Sequence, residues 1–152
     1  NDPANREPLW WSGYATDGVT FQWIARLTRI RRGYAALTHG SFDVVWATDH
    51  VADESDAGVV AFERRIDTGD YALVVINTQG RHASRTSADG NTMTTSQAAG
   101  TTLVDILSGE RFTVGAGGSL EVEVGTVVVD DDPATPPRVR ILVPESQVVA
   151  GL

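Results

Sequence analysis

The sequence predicts a mainly β protein, an antiparallel β-sandwich of Greek-key-like order preceded by one amphipathic helix. Three observations carry this. Apolar residues recur at helical spacing early in the chain, between Phe21 and Ile30. From Phe42 onward the pattern changes to short β-branched and aromatic runs bounded by Gly, Asp, Asn and Ser. No helical crossover lies between those runs, so neighbours joined by tight turns should pair antiparallel.

The elements follow in chain order. Pro3, Pro8, Gly13 and the adjacent Trp10 and Trp11 give residues 1–15 loop chemistry with exposed aromatics. Asp17 offers an N-cap. Phe21, Trp23, Ile24, Leu27 and Ile30 then fall on one half of a helical wheel, which predicts an amphipathic helix from Thr20 to Arg31 with Gly33 as its left-handed stop. The predicted strands are Phe42 to Thr48, Val59 to Arg65, Tyr71 to Asn77, Thr102 to Leu107, Arg111 to Val114, Ser119 to Val129 and Arg138 to Val143. Asp67-Thr68-Gly69-Asp70 and Ser108-Gly109-Glu110 read as hairpin turns. Arg81 to Gly100, rich in Ser, Thr, Ala and Gly, reads as a long surface excursion with a ragged edge strand. The acids and prolines from Asp130 to Pro137 cannot continue a central strand.

Composition removes several functions. A chain of 152 residues makes one domain that buries roughly 70% of its unfolded surface. Without cysteine there is no disulfide framework and no thiol catalysis. A net charge of −8 argues against a nucleic-acid partner, because such affinity comes from clustered Lys and Arg. No apolar run approaches the roughly 20 residues that span a bilayer, so no membrane partner is expected. The start at Asn1-Asp2-Pro3 is read as a piece of a longer polypeptide.

The N-terminal loop is the first place where chemistry gathers. In Asn1-Asp2-Pro3-Ala4-Asn5-Arg6 a carboxylate and a guanidinium stand four residues apart around a proline, able to hydrogen-bond sugar hydroxyls, with Trp10 and Trp11 able to add an apolar ring face. Taken alone, such a pair ordinarily makes a local salt bridge or turn. The segment resembles the Gly-Asp-Pro-x-Asn-Arg loop that follows the eighth barrel strand of alpha-amylases and cyclodextrin glucanotransferases. Leu27, Arg31, Arg32, Ala36, Leu37 and Gly40 are similar to that family's end of the last barrel helix, although its proline is replaced near Ala35. Downstream, Val59 to Arg64, Ala72 to Thr78, Leu103 to Gly109 and Leu120 to Val124 resemble, in order, strands of its all-β C-terminal domain.

The resemblance implies a division into residues 1–33, the last loop and helix of a truncated (β/α) barrel, and 34–152, an all-β C-terminal domain. It implies that Asp2 and Arg6 bind glucose units of an α-glucan, and that the catalytic barrel of a parent enzyme is the partner. None of the family's catalytic carboxylate motifs occurs here, so the chain is expected to be inactive on its own: retaining glycosidases need a nucleophilic carboxylate and an acid about 5 Å apart. No cofactor is expected in this segment, calcium being left to the parent. The Phe21 to Ile30 helix, without its barrel, offers a face for self-association. Asp49-His50 reads as a solvated strand end, and Asp49, Asp53, Glu54 and Asp56 as a hydrated loop in preference to a calcium site. His39, His50 and His82 are too dispersed to assign a metal. The rival reading is a free-standing starch-binding β-sandwich module.

Overall fold

A computed structural model describes residues 13–126 and 138–152. Helix α1, Val19–Gly33, begins at Gly18 without a side-chain cap, so Asp17 stands one residue too early to cap it. Gly33 is helical and does not stop the helix through a left-handed turn. A Cβ built there would meet only the tip of the Leu152 side chain, which can move aside. The helix ends instead at extended Tyr34, whose N–H still reaches the Ile30 carbonyl, and a short helix α2, Ala35–His39, follows.

Among the described residues ten strands follow: β1 Asp43–Ala47, β2 Val59–Arg65, β3 Tyr71–Asn77, β4 Ser84–Arg85, β5 Ser87–Ala88, β6 Asn91–Thr92, β7 Thr102–Asp105, β8 Arg111–Thr113, β9 Glu123–Val124 and β10 Val139–Pro144. Six form one antiparallel sheet in the order β1-β2-β3-β10-β7-β8, so the last strand in sequence enters between β3 and β7. The two predicted hairpins join β2 to β3 and β7 to β8. The protein is therefore mainly β and antiparallel with one main helix, as expected.

The period-2 alternation decides which face each residue takes. Ala61, Leu73, Val75, Leu103 and Leu142 point into an inner core. Its other side is closed by Met93, Leu120, Val122 and Val124, carried on the pairs β4-β9 and β5-β6 and their connections. The Ser/Thr-rich excursion is thus no solvated loop: Ser84, Thr86 and Met93 are buried in it. The predicted strand Ser119 to Val129 keeps its alternation, yet only β9 is a ladder among its described residues, 119–126. Its backbone bonds go elsewhere, since Thr86 Oγ1 donates to the Leu120 carbonyl and accepts from Val122 N–H. On the opposite face, Ala72, Ile141 and Val143 pack against Ile30, Tyr34 and Ala36 from the helices.

Candidate functional site

The residues that carry the family resemblance are built into the interior of the sheet. Asp105, fully buried, accepts hydrogen bonds from the Leu107 N–H (3.1 Å), the Ile141 N–H (3.2 Å) and the Ser108 hydroxyl (2.7 Å). Arg140 completes the set at 3.2 Å, its guanidinium also 2.7 Å from Glu110 and 5.1 Å above the Phe112 ring. Asp105, Ser108 and left-handed Gly109 are therefore one turn motif that pins β7 to β10. Asn77 donates to the carbonyls of Val124 and Gly125 and accepts from the Gln79 N–H, tying β3 to the covering layer. Glu63, buried, accepts from Tyr71 Oη and the Ser96 N–H, both at 2.7 Å. Burial first, and this bond second, hold the Tyr71 hydroxyl protonated far above its usual range. Glu63 and Asp105 are thus both committed to structural donors, which suits stapling.

The helix face is finished differently. Arg26 donates to the carbonyls of Ile106 (3.2 Å) and Leu107 (2.9 Å), anchoring α1 to the turn after β7. Ile30 is buried and Leu27 packs beside it. The rest of the predicted stripe is not covered: Phe21 is 48% exposed, Trp23 39% and Ile24 58%. Val44 and Phe62 sit opposite each other in the register and so share a face of the sheet, where Phe42 stacks on Phe62 at 4.7 Å between ring centroids. Phe42 and Val44 are exposed as well. An apolar groove lined by Leu27, Ile30, Leu37, Phe62, Val74 and Ile141 runs between helix and sheet.

A third feature was missed as a site in the sequence. A β-bulge between Val44 and Trp46 lets both Val45 and Trp46 pack toward the inner core. Past it, Trp46, Asp49, His50, Asp56, Asp89 and Asn91 line an open cleft of 540 Å³. His50 is no solvated strand end: its Nδ1 lies 2.7 Å from Asp56 Oδ1, and that carboxylate is 1% exposed. The contact raises the imidazole pKa, the hydrogen bond to Asp56 being the main cause. His82 reaches the loop that follows His50, with Nδ1 and Nε2 each 2.7 Å from a backbone carbonyl, those of Ala83 and Ala52. Carbonyls only accept, so both nitrogens must donate, and the pKa is raised accordingly. His39 is exposed at the end of α2, apart from the other two.

Asp2 and Arg6, with Trp10 and Trp11, lie outside the described residues. Among the described residues no three His, Asp or Glu side chains are grouped to hold a metal, and no helix is long and apolar enough to cross a membrane.

Comparison with known proteins follows the same lines. No family model matches the chain. Over 129 residues the sequence is 31% identical to alpha-amylase 1 of Schwanniomyces occidentalis, covering 82% of this chain and 23% of that protein. In structure it is similar to an alpha-amylase from Malbranchea cinnamomea, with a TM-score of 0.66 and 24% identity over 99% of this chain and 27% of that one. It is also similar to AmyP, solved in complex with maltotriose, at a TM-score of 0.54 and 17% identity over 82% of this chain and 20% of AmyP. The chain thus spans about a quarter of the length of the relatives it matches.

Proposed function

Because the chain is homologous to a segment of the alpha-amylases, we propose that it is the noncatalytic C-terminal part of a glycoside hydrolase or glucanotransferase acting on α-glucans. In this reading residues 1–33 complete a (β/α) barrel, residues 34–152 brace its flank, and Asp2 and Arg6 contact glucose units in its cleft. The observation that carries it is the half-finished helix: α1 buries Ile30 against its own sheet and leaves Phe21, Trp23 and Ile24 in solvent. A helix patterned for two neighbours and given one is a helix with a partner outside these residues. The buried carboxylates support the noncatalytic role, since Glu63, Asp56 and Asp105 are each held by donors within the fold.

The reading predicts that the purified chain does not turn over starch, maltodextrin or cyclodextrin. It also predicts that the coding sequence immediately upstream of Asn1 specifies a barrel with the family's three carboxylates. Glucan turnover by the chain alone, or an unrelated domain upstream, would contradict it. In the parent, Asp2→Ala or Arg6→Ala is expected to weaken oligosaccharide use by about 1 to 3 kcal/mol through binding; unchanged kinetics in both would remove those two residues from the site.

A further inference from the structure

The loop that joins β1 to β2, residues 48–58, is fastened unevenly. Its second half is tied to its surroundings by bonds that no proton controls. The Ser55 carbonyl accepts from the Arg85 N–H (2.8 Å) and the Ser55 hydroxyl donates to the Ser87 carbonyl (2.8 Å). The carbonyls of Ala57 and Gly58 accept from Ser84 Oγ and the Thr78 N–H, both at 2.9 Å. In the first half, among the described residues, every hydrogen bond from residues 49–54 to another element ends on the Ala52 carbonyl, which accepts from Gln79 Nε2 at 3.0 Å and His82 Nε2 at 2.7 Å. Ala52 itself has φ 57°, a left-handed conformation that a residue with a Cβ avoids unless something holds it there. A second tie closes the loop on itself, from His50 Nδ1 to the buried Asp56 carboxylate at 2.7 Å.

Both ties depend on a proton. His82 stands between two carbonyls, and a neutral imidazole has one N–H to give. Its other nitrogen then turns a lone pair toward an oxygen 2.7 Å away, so one contact must open. The Ala83 contact joins chain neighbours and orders nothing further, whereas the Ala52 contact holds a loop in place, so the second is the one that yields. Gln79 remains as a neutral donor, and hydrogen bonds from a charged donor are roughly twice as strong as neutral ones. Deprotonating His50 removes the positive charge that balances the buried Asp56 carboxylate. The charged groups that face the rings are carboxylates: Asp56 and Glu54 from the loop and Asp89 from the β5-β6 hairpin toward His50, with Asp49 in the same cleft, and Asp53 toward His82. All of them favour the protonated rings, and imidazole is the side chain whose ordinary titration lies near neutral pH.

We propose that residues 49–54 form a proton-operated latch, closed against the segment 79–83 while His82 and His50 are imidazolium and released as they lose their protons. Release frees the wall that Asp49 and His50 supply to the cleft beside Trp46, and it opens the loop backbone to proteolysis. The latch is fully set below pH 6.5, the ordinary imidazole value, and opens as pH rises through the higher folded values. It needs nothing upstream of the chain, so it stands or falls apart from the function proposed above.

The test is methyl relaxation by NMR on the full chain labelled at alanine, whose Cα–Cβ bond moves with the backbone. The Ala52 order parameter is followed from about pH 5.5 to about pH 9, a span that brackets the imidazole range. Ala61 and Ala72, buried in β2 and β3, serve as rigid references, and the histidine ring resonances report protonation. The expected Ala52 value matches the references, about 0.85, at the acid end and falls below about 0.6 at the alkaline end, with a midpoint that coincides with the His82 ring titration. His50→Gln combined with His82→Gln should give one Ala52 value at both ends, because an amide donor does not change with pH. An Ala52 value that stays with the references while the rings lose their protons overturns the latch. So does a fall that persists in the double variant, and so do rings that keep one protonation state throughout. If Ala61 and Ala72 show the double variant unfolded, the match or mismatch of the Ala52 and His82 midpoints in the unaltered chain decides alone.

Discussion

On the inner face of the six-stranded sheet, Glu63, Asn77 and Asp105 are buried polar groups, and each is met by donors or acceptors from another strand or from the covering layer. On the helix face, Phe21, Trp23 and Ile24 are apolar groups that the described residues leave partly exposed, with Arg26 lying over the Trp23 ring. The first region spends polar residues to specify a fold, because a buried carboxylate tolerates only the arrangement that satisfies it. The second spends apolar residues on a surface that a free-standing domain would have made polar. Side by side, they separate what the described residues satisfy among themselves from what, on the reading proposed above, a neighbour would cover.

The largest effect should come from breaking the inner staples. Asp105→Ala leaves Arg140 buried, with Glu110 as its remaining carboxylate, and removes the acceptor for two backbone N–H groups. A loss of about 3–5 kcal/mol is expected in urea unfolding, as for other buried pairs that lose one partner. A loss under about 1 kcal/mol would mean that the network is ornament. Asn77→Ala should cost less, roughly 1–3 kcal/mol, since it strands the Val124 and Gly125 carbonyls without stranding a charge.

A smaller and pH-dependent effect belongs to the loops that carry His50 and His82. His50 and His82 both have raised pKa values in the fold, so the stability they confer is fully present below 6.5, their ordinary value, and is lost as pH rises through the higher folded values. Thermal midpoints measured across that window should fall toward alkaline pH. His82→Gln should flatten the slope, because a neutral amide cannot replace an imidazolium that donates from both nitrogens. An unchanged slope would show that the two carbonyls are not reading the proton.

The smallest effect is expected where the surface is already bare. Phe21→Glu should shift the stability of the isolated chain by no more than about 0.5 kcal/mol, whereas Leu27→Glu, one helix face inward, forces a charge against Ile30 and Ile141. Equal effects of the two would erase the boundary between the covered and uncovered ends of α1. Sedimentation of the same variants reads self-association: a dimer through this helix should dissociate with Phe21→Glu.

Much of the fold was legible because its signals are local. Strands β2 and β3 have the predicted bounds, since alternating residues on either side of a Gly-containing turn leave little freedom. Gly33 has the composition of a helix stop but lies inside α1, because the chain continues helical until extended Tyr34, where the turn into α2 is set by packing against the sheet. The Ser/Thr excursion was misread because hydroxyls look like solvent-seeking groups in sequence, while Ser84 and Thr86 spend theirs on backbone carbonyls of distant segments. The His50 cleft was hidden similarly. Asp49-His50 gives no local sign of Asp56 folding back at 2.7 Å, or of the hairpin at Asp89 closing one side.

The central claim is that the bare end of α1 faces a partner supplied by the same polypeptide. Its most direct test compares Phe21→Glu with Ile24→Glu, combined, in the isolated 152-residue chain and in the proposed barrel-bearing parent, by thermal midpoint. The account predicts little change in the isolated chain and a fall of at least about 4 °C in the parent, where about 1 kcal/mol moves a midpoint by 2–4 °C or more and two charges would be buried in an apolar contact. Equally small shifts in both would contradict it, because the stripe would then be solvent-facing in the parent too.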